Sequence, residues 1–77
     1  MKAIRKKVPQ EHFEDVKSRR RNFEILEVAE NIQVGDIVVL DEFVLYKGYT
    51  GNGIRRKVKY VLYNSVGLKA GYCIVGW

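Results

Sequence analysis

A 77-residue chain, residues 1–77, has room for one domain with one small core. A single cysteine, Cys73, excludes an internal disulfide, and no Cys/His spacing fits zinc, so no metal or other cofactor is expected. The net charge of +5 and isoelectric point near 9.5 favour polyanionic partners; the longest apolar run, residues 37–40, is too short to span a membrane, and residues 1–8 lack a signal peptide's apolar run, so a cytoplasmic setting is expected.

Residues 2–8 (KAIRKKV) alternate weakly and predict a first short strand, with Ala3 and Ile4 near the core. Pro9 suits the first position of a helix over 9–19, whose apolar face is Pro9, Phe13 and Val16. Glu11, Glu14 and Asp15 load its first half, and Lys17 with Arg19, Arg20 and Arg21 load its end, as the helix dipole favours. Residues 23–28 (FEILEV) alternate with period two and predict a strand. Phe23 and Ile25 share one face, and Glu24 shares the other with Leu26 and Val28. A carboxylate covered on that face needs a cation, and the nearest are the three arginines.

Residues 29–36 read as a connection ending in a turn at Gly35-Asp36. Residues 37–46 predict a long strand, and its four leading apolar residues imply cover on both sides. Residues 48–53 (GYTGNG) read as a loop turning tightly at Asn52-Gly53. Residues 54–63 return as its partner strand, with Val58, Tyr60 and Leu62 on one face. A second loop over 64–71 leads to a last strand over 72–77, with Gly76 as a bulge. The whole predicts an α+β, mostly β fold: a small β-barrel with one helix after the first strand.

Val8-Pro9, Phe13, SRRRNFEI over 18–25, VGD over 34–36, YTG over 49–51 and GLKAGY over 67–72 stand in an order that resembles the ASCH (activating signal cointegrator homology) domain of the PUA-like superfamily. The resemblance is closest to a small bacterial and phage subfamily of unknown function. It implies a small PUA-like barrel whose basic cleft binds RNA. The family's cleft motif, Gly-x-Lys-x-x-Glu-x-Arg, falls on Arg19, Arg21, Glu24 and Leu26: Glu24 matches, Arg21 keeps the lysine's charge, Arg19 replaces the glycine and Leu26 replaces the arginine. One related branch is similar to an amidohydrolase that acts on acetylated cytidine through a lysine and a threonine. The matching positions here are Arg21 and Glu24, and a guanidinium stays protonated, so no catalytic residue and no enzyme activity are expected.

Residues 43–77 carry Lys47, Arg55, Arg56, Lys57, Lys59 and Lys69 and no acid. With interspersed tyrosines, that is the footprint of a nucleic-acid binder, RNA being expected over DNA. The candidate contacts are Arg19, Arg20 and Arg21 for phosphates or base edges, Glu24 for a base amino group, Tyr49 for stacking, and Arg55, Arg56, Lys57 and Lys59 along the backbone. Each has a structural alternative: a helix end, an ion pair, a charged edge strand. Tyr60 and Tyr72 are expected in the core, Cys73 as a small buried hydrophobe, and Trp77 over one end of the barrel. The alternatives to RNA binding are a small nucleoside-modifying amidohydrolase-like enzyme and a phage or host protein-interaction module.

Overall fold

Alternation along the strands sorts this chain into an inside and an outside. In a computed structural model, which describes residues 1–63 and 66–77, the elements are β1 (Ala3–Pro9), α1 (Gln10–Lys17), β2 (Phe23–Glu27), a 3-10 turn (Val28–Glu30), β3 (Ile37–Val44), β4 (Gly48–Lys57), β5 (Tyr60–Leu62) and β6 (Tyr72–Gly76). The part of the predicted second loop at positions 64 and 65 lies outside the described residues. The fold is mostly β with one helix after the first strand.

The strands form two three-stranded sheets, β1-β3-β4 and β2-β6-β5. β1 runs parallel to β3, with Ile4 beside Val38 and Val8 beside Glu42; the other pairings are antiparallel. No ladder among the described residues joins the sheets into a closed ring. Between them, Ile4, Val8, Val38 and Leu40 from one sheet meet Leu26, Cys73 and Val75 from the other, with Phe13 and Val16 of α1 completing the core. Each fully buried aliphatic side chain contributes about 1.5–3 kcal/mol. Leu40 is wholly buried.

Several expectations change. Pro9 closes β1 and caps α1 from outside, with φ −66° and ψ 159°, so the helix starts at Gln10 and Pro9 is exposed. The turn after β3 falls at 45–47, where Tyr46 and Gly48 hold φ of +69° and +87°, and not at Asn52-Gly53. GYTGNG is therefore the first half of β4. There Gly51, φ +91°, opens a bulge that sets residues 50–52 opposite Glu42. The bulge serves that buried carboxylate, which accepts from Thr50 Oγ1 at 2.7 Å and Asn52 Nδ2 at 3.0 Å.

The predicted strand over 54–63 is two strands in different sheets. The chain changes sheet at Val58-Lys59, where Val58 N–H donates to Asp36 O and Lys59 N–H to Gly76 O, both at 2.8 Å. That switch reverses the predicted facing of Tyr60, which is 60% exposed, while Tyr72 is half-buried. Gly76 keeps ladder register with both Phe23 and Tyr60 and forms no bulge. Asp36 fastens the starts of β1 and β3 by accepting from Lys2 N–H at 3.1 Å and Gln33 N–H at 2.9 Å.

Candidate nucleic-acid interface

The joint between α1 and β2 is set by how the helix ends. Arg19 N–H donates to Val16 O at 3.1 Å and Arg20 N–H to Asp15 O at 2.9 Å, the paired bonds of a Schellman cap. That cap requires a left-handed residue at position 19, usually glycine. Here Arg19 takes it, with φ +67°. A costlier residue thus occupies the position where the motif quoted above has glycine, and the side chain it adds is cationic.

Arg21 turns the other way. Its Nη2 donates to Glu24 Oε1 at 3.0 Å, its Nε to Phe23 O at 3.2 Å, and its guanidinium lies over the Phe23 ring, 4.5 Å from the centroid. Glu24 points inward with Leu26, with its side chain 4% exposed against 18% for Arg21. Glu24 Oε1 also accepts from Ile25 N–H at 2.9 Å and lies 4.0 Å from Lys6 Nζ, which comes from β1 in the opposite sheet. Lys6 in turn donates to Ile25 O. The trio joins helix end, β2 and β1, so Arg21 and Glu24 do the work of an ion pair between elements. Neither lines the concavity beside the joint.

That concavity has a volume of 430 Å³ and is lined by Arg19, Asn22, Arg55, Arg56, Lys57, Lys59 and Trp77. Backbone bonds hold its walls together: Trp77 N–H donates to Asn22 O at 3.0 Å, and Lys59 N–H donates to Gly76 O. Arg56 is tied to the helix end by Nη2 donating to Val16 O at 3.4 Å. None of the five cations is in an ion pair among the described residues. The structure thus gathers five of the nine residues expected at the site and adds two that composition alone did not single out. Asn22 is implied by the joint itself. Trp77 is implied by strand pairing, since it follows the Phe23–Gly76 pair and so stands opposite Asn22.

The other expected residues lie elsewhere. Arg20 pairs with Asp15 at 3.1 Å, in a separate shallow cavity lined by Gln10, Glu11, Glu14 and Asp15. Tyr49 sits towards the far end of β4, edge-on to Phe43 with ring centroids 5.3 Å apart. The remaining buried ionisable groups have structural partners. Backbone N–H groups of Lys2 and Gln33 hold the Asp36 carboxyl below its ordinary pKa, and the side chains of Asn52 and Thr50 do the same for Glu42. Burial pushes the Cys73 thiol up, so it is an inert core residue and not a nucleophile. Ser18 donates to Asp15 O at 3.2 Å, which closes the helix end. No cluster of three or more His, Cys, Asp or Glu side chains that could hold a metal ion occurs among the described residues. No helix among them is long and apolar enough to cross a membrane.

The sequence matches no curated protein. Residues 5–77, from within β1 through the concavity to Trp77, match one family model, and the chain belongs to that family, the domain of unknown function DUF3850.

Proposed function

We propose that this chain is a nucleic-acid-binding module that grips the backbone of single-stranded RNA in the concavity between the helix–strand joint and the end of β4. The observation that carries the reading is the convergence of Arg19, Arg55, Arg56, Lys57 and Lys59 on one hollow without an acid. Cations left unpaired at fixed positions are what a chain of phosphates would neutralise, and the arginine fork suits phosphate geometry. Trp77 in the same wall offers a flat apolar surface, and Asn22 a neutral donor and acceptor. The resemblance to ASCH domains supports RNA over DNA and a PUA-like reading of the two sheets, and the single cysteine suits action in the cytoplasm. An amidohydrolase reading is disfavoured, because Arg21 cannot accept a proton and its guanidinium is already engaged by Glu24.

The test is titration of a labelled short RNA over a series of salt concentrations. With single strands the slope of log K against log salt is about −0.7 per neutralised phosphate, so five contacts give roughly −3.5. Replacing exposed Arg55 and Lys57 by glutamine should flatten the slope by about 1.4 without altering the fold by circular dichroism. Absence of binding at low salt, or a slope indifferent to those substitutions, overturns the proposal.

A further inference from the structure

The outer face of the β1-β3-β4 sheet holds a second concavity, away from the cationic one. Alternation from the ladder registers places Arg5 of β1, Asp41 and Phe43 of β3, and Tyr49, Gly53, Arg55 and Lys57 of β4 on this face. Because the bulge spans residues 50–52, the row of β4 side chains is interrupted between Tyr49 and Arg55. A Cβ at Gly51 would have nothing within 4 Å, and one at Gly53 would touch only Asp41 Oδ1 at 3.5 Å and Leu40 O at 3.7 Å. The gap is a slot of 290 Å³ lined by Arg5, Asp41, Tyr49, Gly51 and Asn52. It lies just below the usual range for small-molecule sites, so it suits one ring system and not a larger ligand.

Its walls differ in chemistry. On one side stands the Tyr49 ring, held edge-on by Phe43 at an interplanar angle of 78°. Lys7 in turn lies over the Phe43 ring, 4.4 Å from its centroid, while Tyr49 stays 65% exposed. On the other side Arg5 forks onto Asp41, Nε to Oδ2 at 3.1 Å and Nη2 to Oδ1 at 2.8 Å. That pair uses two of the five guanidinium N–H groups and one lone pair on each carboxylate oxygen. The remaining donors and acceptors stand side by side at the rim, where Arg5 is 70% exposed. A stacking wall, a bare backbone floor and a donor–acceptor edge match a flat heteroaromatic ring with polar groups on its rim.

We infer that this slot takes one unpaired purine base, stacked on Tyr49 with its polar edge hydrogen-bonded to the Arg5–Asp41 pair. A bicyclic purine carries both ring acceptors for arginine and, in guanine and adenine, an exocyclic amino group for the carboxylate. The inference deepens the RNA reading and rests on it for the biological ligand. Arg55 and Lys57 follow on the same face of β4, four and six residues beyond Gly51, or about 13–20 Å at strand rise. A single strand seated by its base at Tyr49 would therefore lead its phosphates along β4 to the cationic hollow.

The experiment is backbone-amide NMR of the isotope-labelled chain, with uncharged nucleosides and inorganic phosphate titrated separately. Guanosine and adenosine are expected to shift Arg5, Asp41, Tyr49, Gly51 and Gly53, with cytidine shifting them less. Phosphate is expected to shift Arg19 and residues 55–59. Tyr49→Leu should weaken nucleoside binding roughly 5- to 150-fold, the span of stacking on one aromatic, and leave the phosphate shifts unchanged; Tyr49→Phe should retain nucleoside binding. Phosphate shifts without nucleoside shifts at the slot, or nucleoside binding indifferent to Tyr49→Leu, overturn the slot and leave the RNA reading standing. Nucleoside shifts at the slot without phosphate shifts support the slot and count against the cationic grip. Silence from both ligands overturns both.

Discussion

Replacing Arg21 by methionine separates a structural cation from a ligand-binding one. The structure places its guanidinium 3.0 Å from a carboxylate that is 4% exposed, with no other full-strength ionic partner, since Lys6 stands at 4.0 Å. Methionine removes the guanidinium's place over the Phe23 ring and a charge-assisted hydrogen bond, of the order of 1.5–3 kcal/mol. Lys6 can close part of the distance, so the expected cost is about 2 kcal/mol, below the 3–5 kcal/mol of a wholly buried pair. In a domain this small that lowers Tm by roughly 8–16 °C. Arg21→Met combined with Glu24→Leu should cost less than the two single changes added, because no buried charge is then left alone. Urea denaturation of the four proteins gives the cycle. In the same set, the salt dependence of RNA binding in Arg21→Met should match that of the unaltered chain. The reasoning fails if Arg21→Met costs under about 0.5 kcal/mol, the range of an exposed pair, or if it flattens the salt slope as much as loss of Arg55 does.

The helix end and the buried acids give two more expectations. Arg19→Gly should raise the urea midpoint, by up to about 1 kcal/mol of stability, because glycine takes φ +67° without a Cβ clash, while the salt slope for RNA falls by about 0.7; an unchanged midpoint would show that position 19 carries no strain. Asp36 and Glu42 have folded pKa values below their ordinary 3.8 and 4.5, so their contribution is complete above those ordinary values and is lost as pH falls through the lower folded ones. Stability should therefore fall off in the acid range below about pH 4.5, and Glu42→Gln should shallow that fall; an acid limb identical in the variant would refute the role given to Thr50 and Asn52.

Much of the fold was legible because period-two alternation is a strong local signal. Glu24 and Leu26 share one face as the FEILEV pattern requires, although that pattern did not mark it as the buried one, and Phe13 and Val16 are the buried pair of α1. What failed was local turn chemistry read without its tertiary partner. Asn52-Gly53 looks like a hairpin turn in isolation, yet Asn52 is spent on Glu42, ten residues earlier, and the chain turns at Tyr46, a residue with no turn preference. The change of sheet at Val58-Lys59 was likewise hidden. The unbroken stretch VKYVL, without a glycine or proline, fits one strand or two, and only bonds to Asp36 and Gly76 decide. For the interface, the sequence marked the cations but not their grouping. Arg19, Arg20 and Arg21 are consecutive, yet they diverge into the concavity, onto Asp15 and onto Glu24. A left-handed residue at position 19 makes neighbouring side chains fan apart, and no count of charges contains that.

The acid-free character of the concavity follows from where the fold needs its acids. The chain has nine. Glu24 bridges the two sheets, Asp36 fastens β1 to β3, and Glu42 organises the β4 bulge, so the three buried carboxylates all hold strands in place. Asp15 and Asp41 pair with Arg20 and Arg5. The last acid in the sequence is Glu42, so β4, β5 and β6 bring none to the surface they share with the helix end. Five cations packed there repel one another, and the backbone bonds through Asn22, Lys59 and Gly76 and the Arg56 tie to Val16 keep the walls that carry them from splaying apart. A surface whose only role was to stay soluble would gain from one carboxylate among those five. A preorganised cationic hollow gains from having none, because the neutralising charge then has to come from outside the chain.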